Sequence, residues 1–148
     1  MKTEEVQIFV NLVVQYFEGL SGEACKTGIP RLAGADDYHA KPMTGLIGIS
    51  GQYKGCICFS TGPEMLRDAV RATLGDGGDF PNAEADMIGE IANTIAGNAM
   101  QAFNDSFSIS VPMVCEDASK VSLPQGVPVY IIPISWQGHA GDLVIGMT

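Results

Sequence analysis

Asp86-Met87-Ile88-Gly89-Glu90-Ile91-Ala92-Asn93-Thr94-Ile95-Ala96-Gly97-Asn98-Ala99-Met100 is the stretch around which the rest of the sequence organises. At about 100° per residue, Ile88, Ile91, Ala92, Ile95, Ala99 and Phe103 fall on one side of a helix and form a core-facing stripe. Asp86, Glu90, Asn93, Gly97, Gln101 and Asn104 fall in a narrow stripe on the opposite side. Glu90 and Asn93 are three residues apart and therefore neighbours on the helix surface. A polar stripe ordinarily serves solvation alone. Two features set this one apart: Asn is a mediocre helix former, and a mid-helix Gly97 costs about 1 kcal/mol relative to Ala. Gly97 suits a surface that another molecule must approach closely. On the pattern alone, a solvated face and an interaction face both fit.

Working outward, the long helix runs from about Asn82 to Asn104. Before it, Thr61-Gly62-Pro63-Glu64 opens a helix that reaches Leu74, with Pro in the first turn. Residues 3–18 predict an N-terminal helix capped by Thr3, acidic in its first turn and stopped by Gly19. Val6, Phe9, Val10, Val13 and Phe17 make its apolar stripe. Thr44–Ser50 and Tyr53–Ser60 read as a hairpin around Gly51-Gln52. An edge strand is expected within Lys26 to Tyr38, and three more strands at Ser108–Cys115, Val127–Ser135 and Gly141–Thr148. Gly75–Asp79 is a glycine-rich loop, but its two carboxylates and the lack of a P-loop Lys argue against a phosphate cradle. The methionines Met43, Met65, Met87, Met100 and Met113 suit core filling. Met87, at the edge of the polar stripe, is also a candidate partner contact. Trp136 fits the core or a dimer contact better than a partner anchor.

The 148 residues fit one domain, with 46% hydrophobic and 17% charged residues, which excludes a disordered tail. Eight Lys and Arg against 17 Asp and Glu leave a net charge of -9. Without clustered cations, nucleic acid and anionic membrane surfaces are not expected partners. Apolar runs fall well short of the roughly 20 residues that a membrane span requires, and the acidic start Met1-Lys2-Thr3-Glu4-Glu5 does not read as a signal peptide. Cys25, Cys56, Cys58 and Cys115 contain no C-x-x-C pair and read as buried free thiols, hence a cytoplasmic location. His39 and His139 lack zinc-ligand spacing, so no metal site is expected.

The run GEIANTIAGNA resembles the signature helix of the CheX-type phosphatases of bacterial chemotaxis, within the CheC/CheX/FliY group. Asp86, Gly89, Glu90, Asn93, Gly97, Asn98 and Ala99 fill the pattern D-x-x-G-E-x-x-N-x-x-x-G-N-A without a gap. Leu46–Gly51 with Lys54-Gly55 is similar to the family's first hairpin, and Val111-Pro112-Met113-Val114 to the strand after the helix. The resemblance implies an α+β CheC/CheX-like sandwich, a mostly antiparallel sheet with long helices packed on it, as one domain over residues 1–148. It implies a phosphatase of two-component signalling that acts on the phospho-aspartate of a CheY-type response regulator. Asn93 would orient the attacking water, as Gln does in GTPases. Glu90 would pair with a receiver cation, and Asp86, Met87, Gly97 and Gln101 would contact the partner. The chain would bind no cofactor itself, Mg2+ being brought by the receiver. A homodimer joined through its sheets, by edge strands of the C-terminal half, is also implied.

The CheC branch carries the motif twice. Here Glu4 and Gln7 have the spacing without the Asn, so the sequence supports one site. The alternative is a receiver-binding module that sequesters its partner without catalysis. A pure binder has no need of the Asn93 amide, which favours the enzyme.

Overall fold

Strand residues with a two-residue period build the centre of the structure. In β3 (Met43–Gly51) and β4 (Gly55–Thr61), Met43, Ile47, Ile49, Ile57 and Phe59 enter the larger core, while Cys56 and Cys58 enter a smaller one on the other side of the sheet. The computed structural model describes residues 1–75 and 80–148, so residues 76–79 of the Gly75–Asp79 loop lie outside the described residues. With β1 (Cys25–Thr27), β2 (Arg31–Gly34), β5 (Phe107–Ile109), β6 (Met113–Cys115), β7 (Pro128–Trp136) and β8 (His139–Met147), the hairpin makes one eight-stranded antiparallel sheet. Its order is β1-β7-β8-β4-β3-β5, with β2 also pairing β7 and β6 also pairing β3.

Three helices, α1 (Thr3–Ser21), α2 (Pro63–Leu74) and α3 (Ala83–Ala102), share the larger core. This is the α+β sandwich that the sequence implies. Phe9 meets Phe103 at 5.7 Å between ring centroids, and Phe17 meets Trp136 at 5.3 Å, so α1 is tied both to the end of α3 and to β7. Trp136 is a core residue. The helix α3 lies directly on β3 because Gly45 has no side chain. A Cβ at that position would stand 2.7 Å from the Ile88 carbonyl oxygen and 3.0 Å from the Ala92 Cβ. Ile88, Ile91, Ala92, Ile95, Ala99 and Phe103 are all buried, as their spacing predicts.

Several boundaries differ from the sequence reading. Thr3 is the first helical residue rather than the cap, which is Lys2. Gly19 lies inside α1, and the stop is Gly22, whose φ of 76° is the left-handed conformation glycine favours; its N–H donates to the Glu18 carbonyl. Tyr53 belongs to the β3–β4 turn, and its ring packs edge-on against Phe103. The strand expected over Ser108–Cys115 is two strands. The β5 register pairs Ile49 with Ile109, whereas the β6 register pairs Leu46 with Met113, so the strand side contains one residue too many: a bulge at Val111-Pro112. Pro112 has no N–H for the ladder; beside it, the Ser110 hydroxyl accepts from the Gly48 N–H at 2.9 Å. Met113 on β6 is 62% exposed and so is not core filler. Among the C-terminal strands, β7 and β8 are flanked on both sides. Among the described residues of that half, β5 and β6 form the free edge.

On the face away from the helices, Cys56, Cys58, Val129, Ile131 and Val144 are covered by Tyr38, Val121 and Leu123. The buried Asp142 carboxylate accepts from the Tyr38 hydroxyl at 3.1 Å and lies 3.6 Å from the Lys41 ammonium, which fastens the segment before β3 to the sheet.

The helix phase sets a stability contrast. Truncating Ile91 or Ile95 to Ala is expected to cost about 2–5 kcal/mol, whereas Glu90→Ala and Asn93→Ala should stay within about 0.5 kcal/mol of the parent. Urea denaturation measures both, and stripe variants melting as early as the core variants would contradict the phase.

Candidate functional site

The outward side of α3 carries the polar stripe. Asp86, Glu90, Asn93, Asn98 and Gln101 are exposed. Glu90 and Asn93, three residues apart on a packed helix, project from one face with their backbone held rigid by the core behind them. The Thr94 hydroxyl donates to the Glu90 carboxylate at 3.3 Å, one turn along the helix. Tyr16 on α1 is half-buried, and its phenol is pushed well above the usual range, first by burial and then by the negative charge of Glu90. A neutral Tyr16 thus stands on the α1 side of Glu90. Neither Thr94 nor Tyr16 is identified by the sequence reading; a hydroxyl four residues after Glu90 was the available signal for Thr94, and nothing local marks Tyr16.

Gly97 lies in open space: a Cβ built there would meet no neighbour within 4 Å. The glycine is therefore not demanded by internal packing. Met87 is corrected. It is 7% exposed and belongs to the larger core, so it is not available to a partner on the stripe.

On its other side the stripe descends into a shallow groove of about 420 Å³. The helix contributes Asp86, Gly89, Glu90 and Asn93, and the facing wall is Val111, Pro112 and Val114 from the bulge and the start of β6. Gly89 lets that wall close in: an added Cβ would sit 3.4 Å from Val114 Cγ2. A Pro in the middle of an apolar run was the sequence signal for the bulge. Its consequence, a wall beside the Glu90–Asn93 pair, depends on the pairing of β6 with β3 and is invisible locally.

The histidines take other roles. His139 Nε2 lies 2.6 Å from Asp68 on α2, and His39 is exposed. Among the described residues, no three His, Cys, Asp or Glu side chains converge as a metal site. All four cysteines are free, with Cys25, Cys56 and Cys58 buried. No described helix is long and apolar enough to cross a membrane.

Chemically, an exposed carboxylate beside an exposed carboxamide can bind a cation and align a water. A search of curated protein sequences finds no match. Among solved structures, a chemotaxis protein CheX from Desulfovibrio desulfuricans superposes with a TM-score of 0.83 at 22% identity, over 98% of this chain and 99% of that one. CheX from Vibrio vulnificus gives 0.83 at 21% identity, over 99% and 100%. The CheX–CheY–BeF3–Mg2+ complex from Borrelia burgdorferi gives 0.77 at 19% identity, over 99% of each chain. At these identities the likeness establishes the fold. The family model for chemotaxis phosphatase CheX matches residues 43–135, from β3 through α3 almost to the end of β7. With most of the chain covered by that model, this protein belongs to the CheX family of chemotaxis phosphatases.

Proposed function

We propose that this protein hydrolyses the phospho-aspartate of a CheY-type response-regulator receiver, with Asn93 orienting the attacking water and Glu90 pairing with a cation of the receiver site. The observation that carries the reading is the exposed Glu90–Asn93 pair on a helix whose other face is fully packed. Family membership supports the class of reaction, and the Borrelia burgdorferi complex is one in which a CheX is bound to CheY.

The chemistry asks little of this chain. An acyl phosphate is activated, and its leaving group departs as a carboxylate that needs no proton. What remains is to hold a water in line with the breaking bond. A carboxamide can accept from that water and donate to a phosphoryl oxygen, which contributes positioning rather than acid or base strength. A receiver would bring its own Mg2+ to neutralise the phosphoryl charge. The Glu90 carboxylate, held by Thr94, supplies a charge-assisted contact for a lysine beside that group. Gly97, one turn beyond Asn93, leaves room for the receiver backbone, while Asp86 and Gln101 extend the contact along the stripe.

Asn93→Ala is expected to lower single-turnover dephosphorylation on the order of 100-fold while sparing affinity, since the contact to water forms only on the way to the transition state. Glu90→Ala should weaken binding and turnover together. Gly97→Leu should remove both without unfolding α3, because Leu is the better helix former. Decay of a phosphorylated receiver, followed alongside binding, separates these outcomes. An Asn93→Ala protein working at the parent rate would contradict the water-positioning role. A homodimer joined through sheet edges is part of the proposal; light scattering should then give twice the 15.6 kDa chain mass at micromolar concentration, and a monomer mass would remove it.

A further inference from the structure

Single exposed apolar side chains are ordinary on protein surfaces. The group at residues 111–114 is not of that kind. The one-residue bulge between the β5 and β6 registers turns Val111 outward, leaving it 85% exposed, while Val114 packs toward Gly89 and Pro112 rises between them. Bulges commonly re-aim a side chain beside a functional site. Here the re-aimed residue forms one wall of the groove whose opposite wall carries Glu90 and Asn93.

The two walls differ in character. The strand wall is apolar, and the helix wall carries the carboxylates of Asp86 and Glu90. Among the described residues, no Lys or Arg lines the groove. An anionic occupant would be repelled, and a purely apolar one would leave those carboxylates facing it without a counter-charge. An apolar side chain beside a cation satisfies both walls at once.

We propose that the groove between α3 and the Val111–Val114 bulge seats an apolar side chain of the receiver flanked by a lysine or arginine, and thereby selects which receivers the protein accepts. This rests on the receiver-phosphatase reading, from which it differs in placing selectivity on the strand wall rather than on the Glu90–Asn93 pair. Receivers with a polar or acidic side chain at the matching position would dock poorly although their phosphoryl chemistry is the same. Discrimination by an apolar wall of this size is worth about 10- to 200-fold.

The test measures binding of CheY-type receivers of the host, each loaded with beryllofluoride and Mg2+, to the parent protein and three variants. Val111→Asp should raise the dissociation constant about tenfold or more, because the apolar side chain of the occupant then meets a carboxylate that must be desolvated instead of the apolar wall it packs on. Val111→Leu, which keeps the wall apolar, should retain affinity. Leu32→Asp, at the opposite edge of the sheet and 57% exposed, should bind like the parent protein. Circular dichroism confirms that each variant is folded; Val111 is exposed enough for the substitution to leave stability nearly unchanged. If Val111→Asp and Leu32→Asp both bind like the parent, the groove does not dock the receiver, and the phosphatase reading stands without it. If Val111→Asp changes the solution mass but not receiver affinity, the groove seats a second copy of this chain and the inference is overturned. If the parent protein binds no receiver, the functional reading itself fails and takes the inference with it, an outcome distinct from the other two.

Discussion

The close approach of α3 to β3 is the constraint on which the rest of the structure depends. Gly45 supplies it from the strand, and Ala92 and the Ile88 backbone supply it from the helix. An interior this tightly packed resists even one added methyl. Held against the sheet by Ile88, Ile91, Ile95 and Ala99, α3 cannot rotate or slide without opening the core. Its outward face is therefore fixed in direction, and with it the separation of Glu90 from Asn93 and of both from the bulge. A site that works by positioning needs such support, because small misplacements of a water-orienting group are costly in rate.

On the proposed reading, that arrangement divides labour between two surfaces of different origin. The Glu90–Asn93 pair comes from a rigid helix, where spacing is set by the 3.6-residue repeat. The facing wall comes from an irregular piece of strand, Val111 to Val114, where one extra residue and a proline redirect the chain. Helix residues are constrained by the core behind them; bulge residues have one side open and can vary without unfolding the sheet. Such a division would let one phosphatase chemistry serve different partners.

The parts of the fold governed by local periodicity were legible in the sequence. The α3 face could be read because its apolar residues recur at helical spacing, and the stripe opposite follows from the same wheel. The β3–β4 hairpin could be read from the Gly51-Gln52 turn between two strand-like runs. What could not be read depended on contacts between distant segments. Met87 sits on the border between stripe and core of the helical wheel, and its burial in the larger core follows from tertiary packing that the wheel does not show. Ser108–Cys115 has the composition of one strand, and its division follows from where it pairs along β3. Gly19 has the appearance of a helix stop, yet Gly22 three residues later takes the left-handed conformation that ends α1. The proximity of Tyr16 to Glu90 joins two helices far apart in sequence and has no local signal.

The central claim is that this chain accelerates loss of phosphate from a receiver rather than merely binding it. The most direct measurement is the decay of a radiolabelled phospho-aspartate on each CheY-type receiver of the host, with and without catalytic amounts of the unmodified protein. The account predicts that at least one receiver loses its phosphate markedly faster and that each protein molecule processes many receivers. Decay that is unchanged for every receiver, or slowed in proportion to the protein added, would contradict it.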